Sequence, residues 1–485
     1  MSIERQAISA LKWATAGKLV VQTVSWAATL VVVRLLTPID YGLMAKVGVV
    51  CAIANAIAEL GLGSAIVRSA EVTRLELRKL YGLSLLFSVG ITAAVAAASP
   101  LFALLFREPR LTWPIAVACL QIIIGAVAII PSALATRDLS FKRLSMIEIV
   151  AGITSASAML LLALFGMGVW ALVLGTLLGA IARSSALLAF GERVWPLFSL
   201  RGVGEHLKFG LTLVANRVSY FILVQSDVLI GSAFLSTTEI GRYSVALQLA
   251  TLPMAKVMGT INQITLPAVA RQQDDPARVR QSILKSIGIM SLVAFPTLWG
   301  ISAVAPEAVR VLLGEKWLEA VPALAILPLV VPIRMVCSLL FTTALALGHR
   351  QLDLRNTIIN FVLLPSGFFI GAHWGMVGLC VAWLVAVPLA YSFTVPAVVR
   401  CIGIRPRDLI AEIGAPALAA GVMYAAVAGL RLALTGQPTL VALFTMCVAG
   451  ALVYVAAIAL LSRRHLVSIS GFARSLLGRR APKVA

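Results

Sequence analysis

Apolar segments long enough to cross a lipid bilayer recur along this chain from one end to the other, separated mostly by short polar turns. A helix needs about 20 such residues to span the hydrocarbon. The 485 residues divide into 14 candidate spans, at 11–36, 43–67, 80–105, 113–136, 146–166, 169–191, 207–234, 241–267, 283–305, 319–347, 355–373, 375–400, 410–433 and 438–461. No stretch is left over for a soluble domain. Lipid cannot hydrogen-bond an open backbone, so only helices and closed barrels are viable within it. Barrel strands alternate in polarity, and these segments do not. The expected fold class is all-α, a polytopic membrane protein of about 14 transmembrane helices.

Charge placement supports this reading and orients it. Charged residues make up 12% of the chain and hydrophobic ones 60%, with a mean hydropathy of +0.99; soluble domains carry about 25% charge. A net charge of +20 would suit nucleic acid if it formed one aromatic-laced face. Instead the basic residues recur in small loop groups: Arg68/Arg74/Arg78/Lys79, Arg137/Lys142/Arg143, Arg271/Arg278/Arg280/Lys285 and Arg400/Arg405/Arg407. Most of them fall on the side bearing both termini. The positive-inside rule makes that side cytoplasmic, so anionic membrane lipids are an expected partner and nucleic acid is not. The first span lacks a small-residue cleavage site and reads as a retained helix.

Chemistry on a resident cofactor is not expected. Cys51, Cys119, Cys337, Cys380, Cys401 and Cys447 fall in or at the ends of apolar spans without CxxC spacing and read as small core residues. His206, His349, His373 and His465 are scattered, and no metal set forms at sequence level. No Walker loop, GxSxG or HExxH occurs. The expectation is a protein that is not an enzyme. Gly175 and Gly179 have small-xxx-small spacing and imply close helix packing. Trp13, Trp113, Trp170, Trp317 and Trp374 fall near span ends, as interfacial belts do.

Self-similarity divides the chain. Leu11-Lys12-Trp13 matches Leu207-Lys208-Phe209, Tyr41 matches Tyr243, and Ala65-Ile66-Val67-Arg68 matches Ala268-Val269-Ala270-Arg271, at offsets of 196, 202 and 203 residues. Six spans separate the two halves, so the repeats are parallel, related by an axis along the membrane normal. The expected organisation is an N-lobe at 1–191, a cytoplasmic linker at 192–206, a C-lobe at 207–400, two appended helices at 401–461 and a basic tail at 462–485.

Four basic residues, Lys18, Arg217, Lys256 and Arg334, lie inside apolar spans. Each costs roughly 2.5 to 3.5 kcal/mol on insertion scales, so each is expected to face a wet or paired interior. Lys18, Gln22, Ser25 and Thr29 stack at helical spacing, as do Thr212, Asn216, Tyr220 and Asp227, with Arg217 on the flank. Lys256, Thr260 and Gln263 share a side of the eighth span. A cavity between the lobes would then present cations among amides and hydroxyls, a lining suited to a phosphate or pyrophosphate on a sugar. The alternative is that Lys18 and Arg217 pair with Asp227 or Glu59 to stabilise the bundle. Arg334 follows Pro328 and Pro332, which are expected to break or bend its helix; its alternative is snorkelling to an interface. Lys46 is expected at the outer mouth or lining the cavity. Glu59, one turn from Asn55, and Asp227 are the carboxylates placed at depth, and either is a candidate for ion coupling.

Specific motifs point further. Arg34-Leu35-Leu36-Thr37-Pro38-Ile39-Asp40-Tyr41-Gly42, then Gly61-Leu62-Gly63-Ser64-Ala65-Ile66-Val67-Arg68, resembles the bacterial polysaccharide transporter family. So do Leu75-Glu76-Leu77-Arg78-Lys79-Leu80-Tyr81, Arg137-Asp138-Leu139-Ser140-Phe141 with Met146-Ile147-Glu148, and Gly314-Glu315-Lys316-Trp317. The nearest branch is that of the colanic acid exporters and related Wzx-type flippases. The resemblance implies the multidrug, oligosaccharidyl-lipid and polysaccharide exporter fold, two six-helix bundles in a V plus two helices. It also implies a bacterial inner-membrane flippase for undecaprenyl-pyrophosphate-linked oligosaccharides, working by alternating access in exopolysaccharide or lipopolysaccharide synthesis, beside a polysaccharide polymerase and export machinery. Lipid-linked flippases of this superfamily have a cationic cavity, and Lys18, Arg217 and Lys256 occupy comparable helices, though no fixed motif covers them. The runner-up is an ion-coupled multidrug exporter, whose pore would need carboxylates for cationic drugs. A membrane glycan polymerase or ligase ranks third, because the longest outward loop runs only from about Pro306 to Leu318.

Overall fold

A computed structural model describes residues 28–59, 73–137, 141–190, 194–198, 214, 217–271 and 275–461. Every regular element among them is helical. The longer helices are α1 (Pro38–Ala58), α2 (Arg74–Leu105), α3 (Thr112–Ala118), α4 (Leu120–Arg137), α5 (Phe141–Leu164), α6 (Val169–Phe190), α7 (Ser226–Phe234), α8 (Thr237–Arg271), α9 (Pro276–Ala303), α10 (Val321–Ala346), α11 (Arg350–Ala372), α12 (Gly375–Ile402), α13 (Pro406–Ala433) and α14 (Thr439–Leu461). Among the described residues, eleven helical stretches are long and apolar enough to cross a membrane. The expected spans they leave unmatched, 11–36, 207–234 and 241–267, each include residues whose backbone or side chains lie outside the described set. Large apolar side chains such as Leu104, Leu432 and Leu460 are at least three-quarters exposed, which suits lipid and would be costly in water.

Local sequence explains where the helices begin. Thr37 and Asp40 form a reciprocal capping box at α1, with Pro38 at the first helical position. Thr73 and Glu76 do the same for α2, and Ser236 and Glu239 for α8. Each box satisfies otherwise unpaired backbone N–H groups. Asp275 caps α9 by accepting from the Ala277 and Arg278 amides, both at 3.1 Å.

Two compact units divide the chain, Met1–Gly241 and Arg242–Ala485. In the first, α5 and α6 pack tightly enough that a Cβ on Gly175 would lie 2.2 Å from Met159 Cγ, and one on Gly179 2.7 Å from Ser155 Cβ. Their small-residue spacing is therefore a packing feature. The segment 194–198, within the expected linker, docks on the start of α2: the Leu197 amide donates to the Arg78 carbonyl (2.8 Å), and Arg78 Nε to the Trp195 carbonyl (3.2 Å). Gly82 permits this approach, since a Cβ there would lie 2.3 Å from the Leu197 carbonyl oxygen.

In the second unit, α13 and α14 share a core with α9 through Phe295, Ala419, Ala420, Met423 and Met446. Tyr454 donates to the Leu292 carbonyl (3.0 Å), and Arg431 forms a two-pronged pair with Glu307 at 3.0 and 3.1 Å. The last two helices are thus built into this unit. Trp317 departs from the interfacial expectation: it is fully buried, because Gly314 at φ +96° turns the chain into a 3-10 turn (Glu315–Ala320) that tucks the indole inward. Trp113 and Trp374 are exposed, as a belt requires. Cys401 and Cys447 are also exposed, on the outsides of α12 and α14, whereas Cys51, Cys119, Cys337 and Cys380 are buried core residues.

Candidate functional site

Of the residues expected to line a cationic cavity, Lys18, Gln22 and Asn216 lie outside the described residues. Lys256 and Gln263 belong to α8, of which the backbone is described and these side chains are not. Arg217 opens the helical run 217–224, and its guanidinium pairs with the Glu59 carboxylate at the end of α1. Asn55 Nδ2 donates to the other Glu59 oxygen at 3.4 Å. Both members of the pair remain about four-tenths exposed. The charge of Arg217 is therefore answered within the protein, and a phosphate reaching it would have to compete with Glu59.

Tyr220 and Asp227 do not share one environment. Tyr220 is 58% exposed, edge-on to Phe221, while Asp227 is 1% exposed. Between them the helix is interrupted at Gln225. Ser226 donates to the Leu223 carbonyl (2.7 Å), and the Val228 amide donates to Asp227 Oδ1 (2.8 Å), so hydroxyl and carboxylate compete with regular helix bonds. The expected single polar stripe from Thr212 to Asp227 is broken at that point. Asp227 is in the first turn of α7, where a helix dipole favours negative charge.

Among the described residues of the first unit, a buried polar cluster centres on Lys46, a residue expected at a mouth or cavity wall. It is 2% exposed. Eight residues into α1, or about 12 Å from its start, its ammonium donates to Thr237 Oγ1 at 2.9 Å and to the Phe106 carbonyl at 3.4 Å. Thr237 in turn donates to Glu108 Oε2 at 2.9 Å. Arg107, at φ +50°, turns the chain after α2 so that Glu108 faces Thr237. Burial is tolerated because the charge finds a hydroxyl, a carbonyl and, through the hydroxyl, a carboxylate.

Beside this cluster α1 and α8 touch backbone to backbone. A Cβ on Gly42 would lie 1.8 Å from the Thr237 carbonyl oxygen, and one on Gly241 1.8 Å from that of Pro38. Pro38 and Thr237 are 199 residues apart, as are Gly42 and Gly241, Thr37 and Ser236, and Asp40 and Glu239. The contact is thus reciprocal and built from repeated residues. At this point the repeat offset is 199, which pairs Tyr41 with Ile240 in place of Tyr243. The signal was readable in Leu36-Thr37-Pro38-Ile39-Asp40-Tyr41-Gly42 against Leu235-Ser236-Thr237-Thr238-Glu239-Ile240-Gly241. Nothing local, however, marked Lys46 as the residue to fill the space between.

In the second unit Arg334 stands at the middle of α10, its guanidinium 4.3 Å from the ring centre of Trp383. Trp383 Nε1 donates to Tyr243 Oη at 2.7 Å, and Phe368 packs on the indole at 4.9 Å. Pro328 and Pro332 do not break α10. Trp299 Nε1 donates to the Leu329 carbonyl (3.2 Å) and Ser302 Oγ to that of Ala325, each three residues before a proline. Side chains of α9 thus supply donors where proline disturbs the ladder. Among the described residues no group of three or more metal-ligating side chains occurs.

Comparison with known proteins places this geometry in context. Residues 31–322 match the family model described as polysaccharide biosynthesis protein. The lipopolysaccharide biosynthesis protein WzxC of Escherichia coli is 25% identical over 79% of this chain and 79% of its own length. The teichuronic acid biosynthesis protein TuaB of Bacillus subtilis is 23% identical over 81% and 82%. Among solved structures, the lipid II flippase MurJ superposes with a TM-score of 0.73 over 93% of this chain and 99% of that one, at 13% identity. That likeness establishes a shared fold.

Proposed function

This chain belongs to the polysaccharide biosynthesis protein family, as a multi-pass membrane transporter of the Wzx type, and we propose that it flips undecaprenyl-pyrophosphate-linked oligosaccharide units across the bacterial inner membrane. The glycan is bound for exopolysaccharide or lipopolysaccharide, and a polymerase and export machinery receive it. Both termini are cytoplasmic, on the side of the basic loops. Residues 1–191 and 207–400 act as two lobes that expose the cargo alternately to either leaflet, with 192–206 linking them. The pyrophosphate and first sugars are held by Lys18, Gln22, Asn216, Arg217, Tyr220, Lys256, Gln263 and Arg334, while the prenyl chain stays in lipid. Glu59, already paired with Arg217, is the better-supported coupling group, since the arrival of a phosphate at Arg217 would free its carboxylate.

The observation that carries this reading is the family match over residues 31–322, lying on a helical fold like that of the lipid II flippase MurJ. Charge supports it as well. Basic residues number 40 against 20 acidic ones, and of the carboxylates at depth Glu59 faces Arg217 while Asp227 accepts a backbone N–H. A pore for cationic drugs would show the opposite balance. Deleting the gene in its host and measuring surface polysaccharide and lipid-linked oligosaccharide tests the proposal. The expected result is loss of surface glycan with accumulation of the lipid-linked unit on the cytoplasmic leaflet; normal glycan with heightened drug sensitivity would favour a multidrug exporter.

A further inference from the structure

Arg334 is the only charged residue in α10, thirteen residues after Val321 and twelve before Ala346. At 1.5 Å per residue it is about 18–20 Å from either helix end, near the centre of a bilayer about 30 Å thick in its hydrocarbon. A charge at that depth ordinarily finds a carboxylate. Among the described residues none lies within ion-pair distance of it.

The helices around it explain why. In α9 every charge falls in the first ten residues, ending at Lys285; in α12 the only charge is Arg400, near the far end. The charges of α11, Arg350, Asp353 and Arg355, all lie in its first two turns. Arg242, beside Tyr243 in α8, is taken by Glu319 at 2.5 Å. Among the described residues, Arg334 rests on the face of the Trp383 indole, with the Tyr391 phenol of α12 near enough to feel its charge. Contact with an aromatic face answers the charge of a guanidinium without using its five N–H donors. The residue is half-buried.

The indole is itself fixed. Trp383 is 5% exposed and Tyr243 0%; the hydrogen bond between them and the Phe368 ring set the plane on which the guanidinium rests. We propose that Trp383, oriented by Tyr243, is a positioning residue that presents Arg334 at the membrane midplane as a receptor for a diphosphate group. The planar fork matches phosphate oxygens two at a time. The proposal rests on the flippase reading for its cargo, and it names the residues that meet the head group halfway across.

The test uses the full chain in lipid nanodiscs, with farnesyl diphosphate, inorganic pyrophosphate and farnesol as probes. Arg334→Gln is expected to weaken farnesyl diphosphate binding by about tenfold or more, the loss of a charge-assisted two-point contact. Arg334→Lys and Trp383→Leu should each weaken it by about threefold to tenfold, because a point charge does not stack and an aliphatic side chain does not hold the fork. Trp383→Phe, which keeps an aromatic face, should restore most of the affinity, a rescue that a purely structural role would not single out. Farnesol binding should not change in any variant. Unaltered diphosphate binding by Arg334→Gln overturns the proposal, and equal binding by Trp383→Leu and the parent removes Trp383 from it.

A measurement on the unmodified protein guards against misfolded variants. Phenylglyoxal modification of Arg334, read by peptide mapping, should slow several-fold with farnesyl diphosphate and not with farnesol. Protection by inorganic pyrophosphate alone, without any preference for the lipid form, supports the anion site and assigns it to free diphosphate. Labelling that is indifferent to every probe overturns the proposal, and does so even if gene deletion still abolishes glycan export.

Discussion

Thr237→Val should release the cluster that ties the start of α8 to α1 and to the turn after α2. The valine keeps the shape of threonine but removes the hydroxyl that accepts from Lys46 and donates to Glu108, both at 2.9 Å. The ammonium is then left with the Phe106 carbonyl at 3.4 Å. Hydrogen bonds to charged groups contribute about 1.5–3 kcal/mol each. Lys46 and Glu108 can move part of the way towards each other, so the net loss should be about 2–3 kcal/mol, at or below the bottom of the summed range of about 3–6 kcal/mol. At 1.4 kcal/mol per tenfold, the population with this end of the protein opened should rise by about 30- to 150-fold. A cysteine in place of Leu235, buried just before the start of α8, labelled on intact cells with a membrane-impermeant maleimide in a background whose exposed Cys401 and Cys447 are serine, reads that opening. Labelling should accelerate strongly in Thr237→Val and stay at the parent rate in Thr237→Ser, which keeps the hydroxyl. Equal rates in all three would mean that the cluster does not hold this end closed.

Three other outcomes follow from the same physical picture. Gly42→Ala or Gly241→Ala puts a Cβ 1.8 Å from a backbone oxygen; the crossing of α1 and α8 must separate, and thermal unfolding in detergent should shift down by several degrees, more than for Ala at Gly48, where a Cβ meets nothing. Gly82→Ala, 2.3 Å from the Leu197 carbonyl oxygen, should lift the 194–198 segment from α2 and raise its rate of proteolytic cutting; an unchanged rate would contradict the docking described. The double variant Arg217→Gln, Lys256→Gln should block glycan export at unchanged protein level, and normal export would remove both residues from cargo binding.

Features that depend on composition over a local window were legible in the sequence. Burial in lipid requires only length and apolarity, so the spans from Arg74–Leu105 to Thr439–Leu461 matched the expected ones wherever side chains are described. Helix starts were equally local, since a capping box is complete within four residues. The site residues fared differently because their environment comes from elsewhere in the chain. Lys46 meets Phe106 across 60 residues and Thr237 across 191, and Trp383 meets Tyr243 across 140. No periodicity marks such partners. A charged residue in an apolar span could be recognised as costly, but whether a carboxylate, a hydroxyl or an aromatic face would answer it was decided by the packing. Thus Arg217 faces a carboxylate, Lys46 is enclosed by polar groups and Arg334 rests on an indole.

Translocation itself is the most direct measurement of the central claim. The purified chain would be reconstituted into vesicles carrying a fluorescent undecaprenyl-diphosphate-linked sugar, and the fraction of label reached by an external quencher followed over time. The account predicts that the protein moves label between leaflets well above the protein-free rate, and that Arg217→Gln, Lys256→Gln loses this activity. Vesicles in which the protein leaves the lipid-linked sugar in its original leaflet would contradict it.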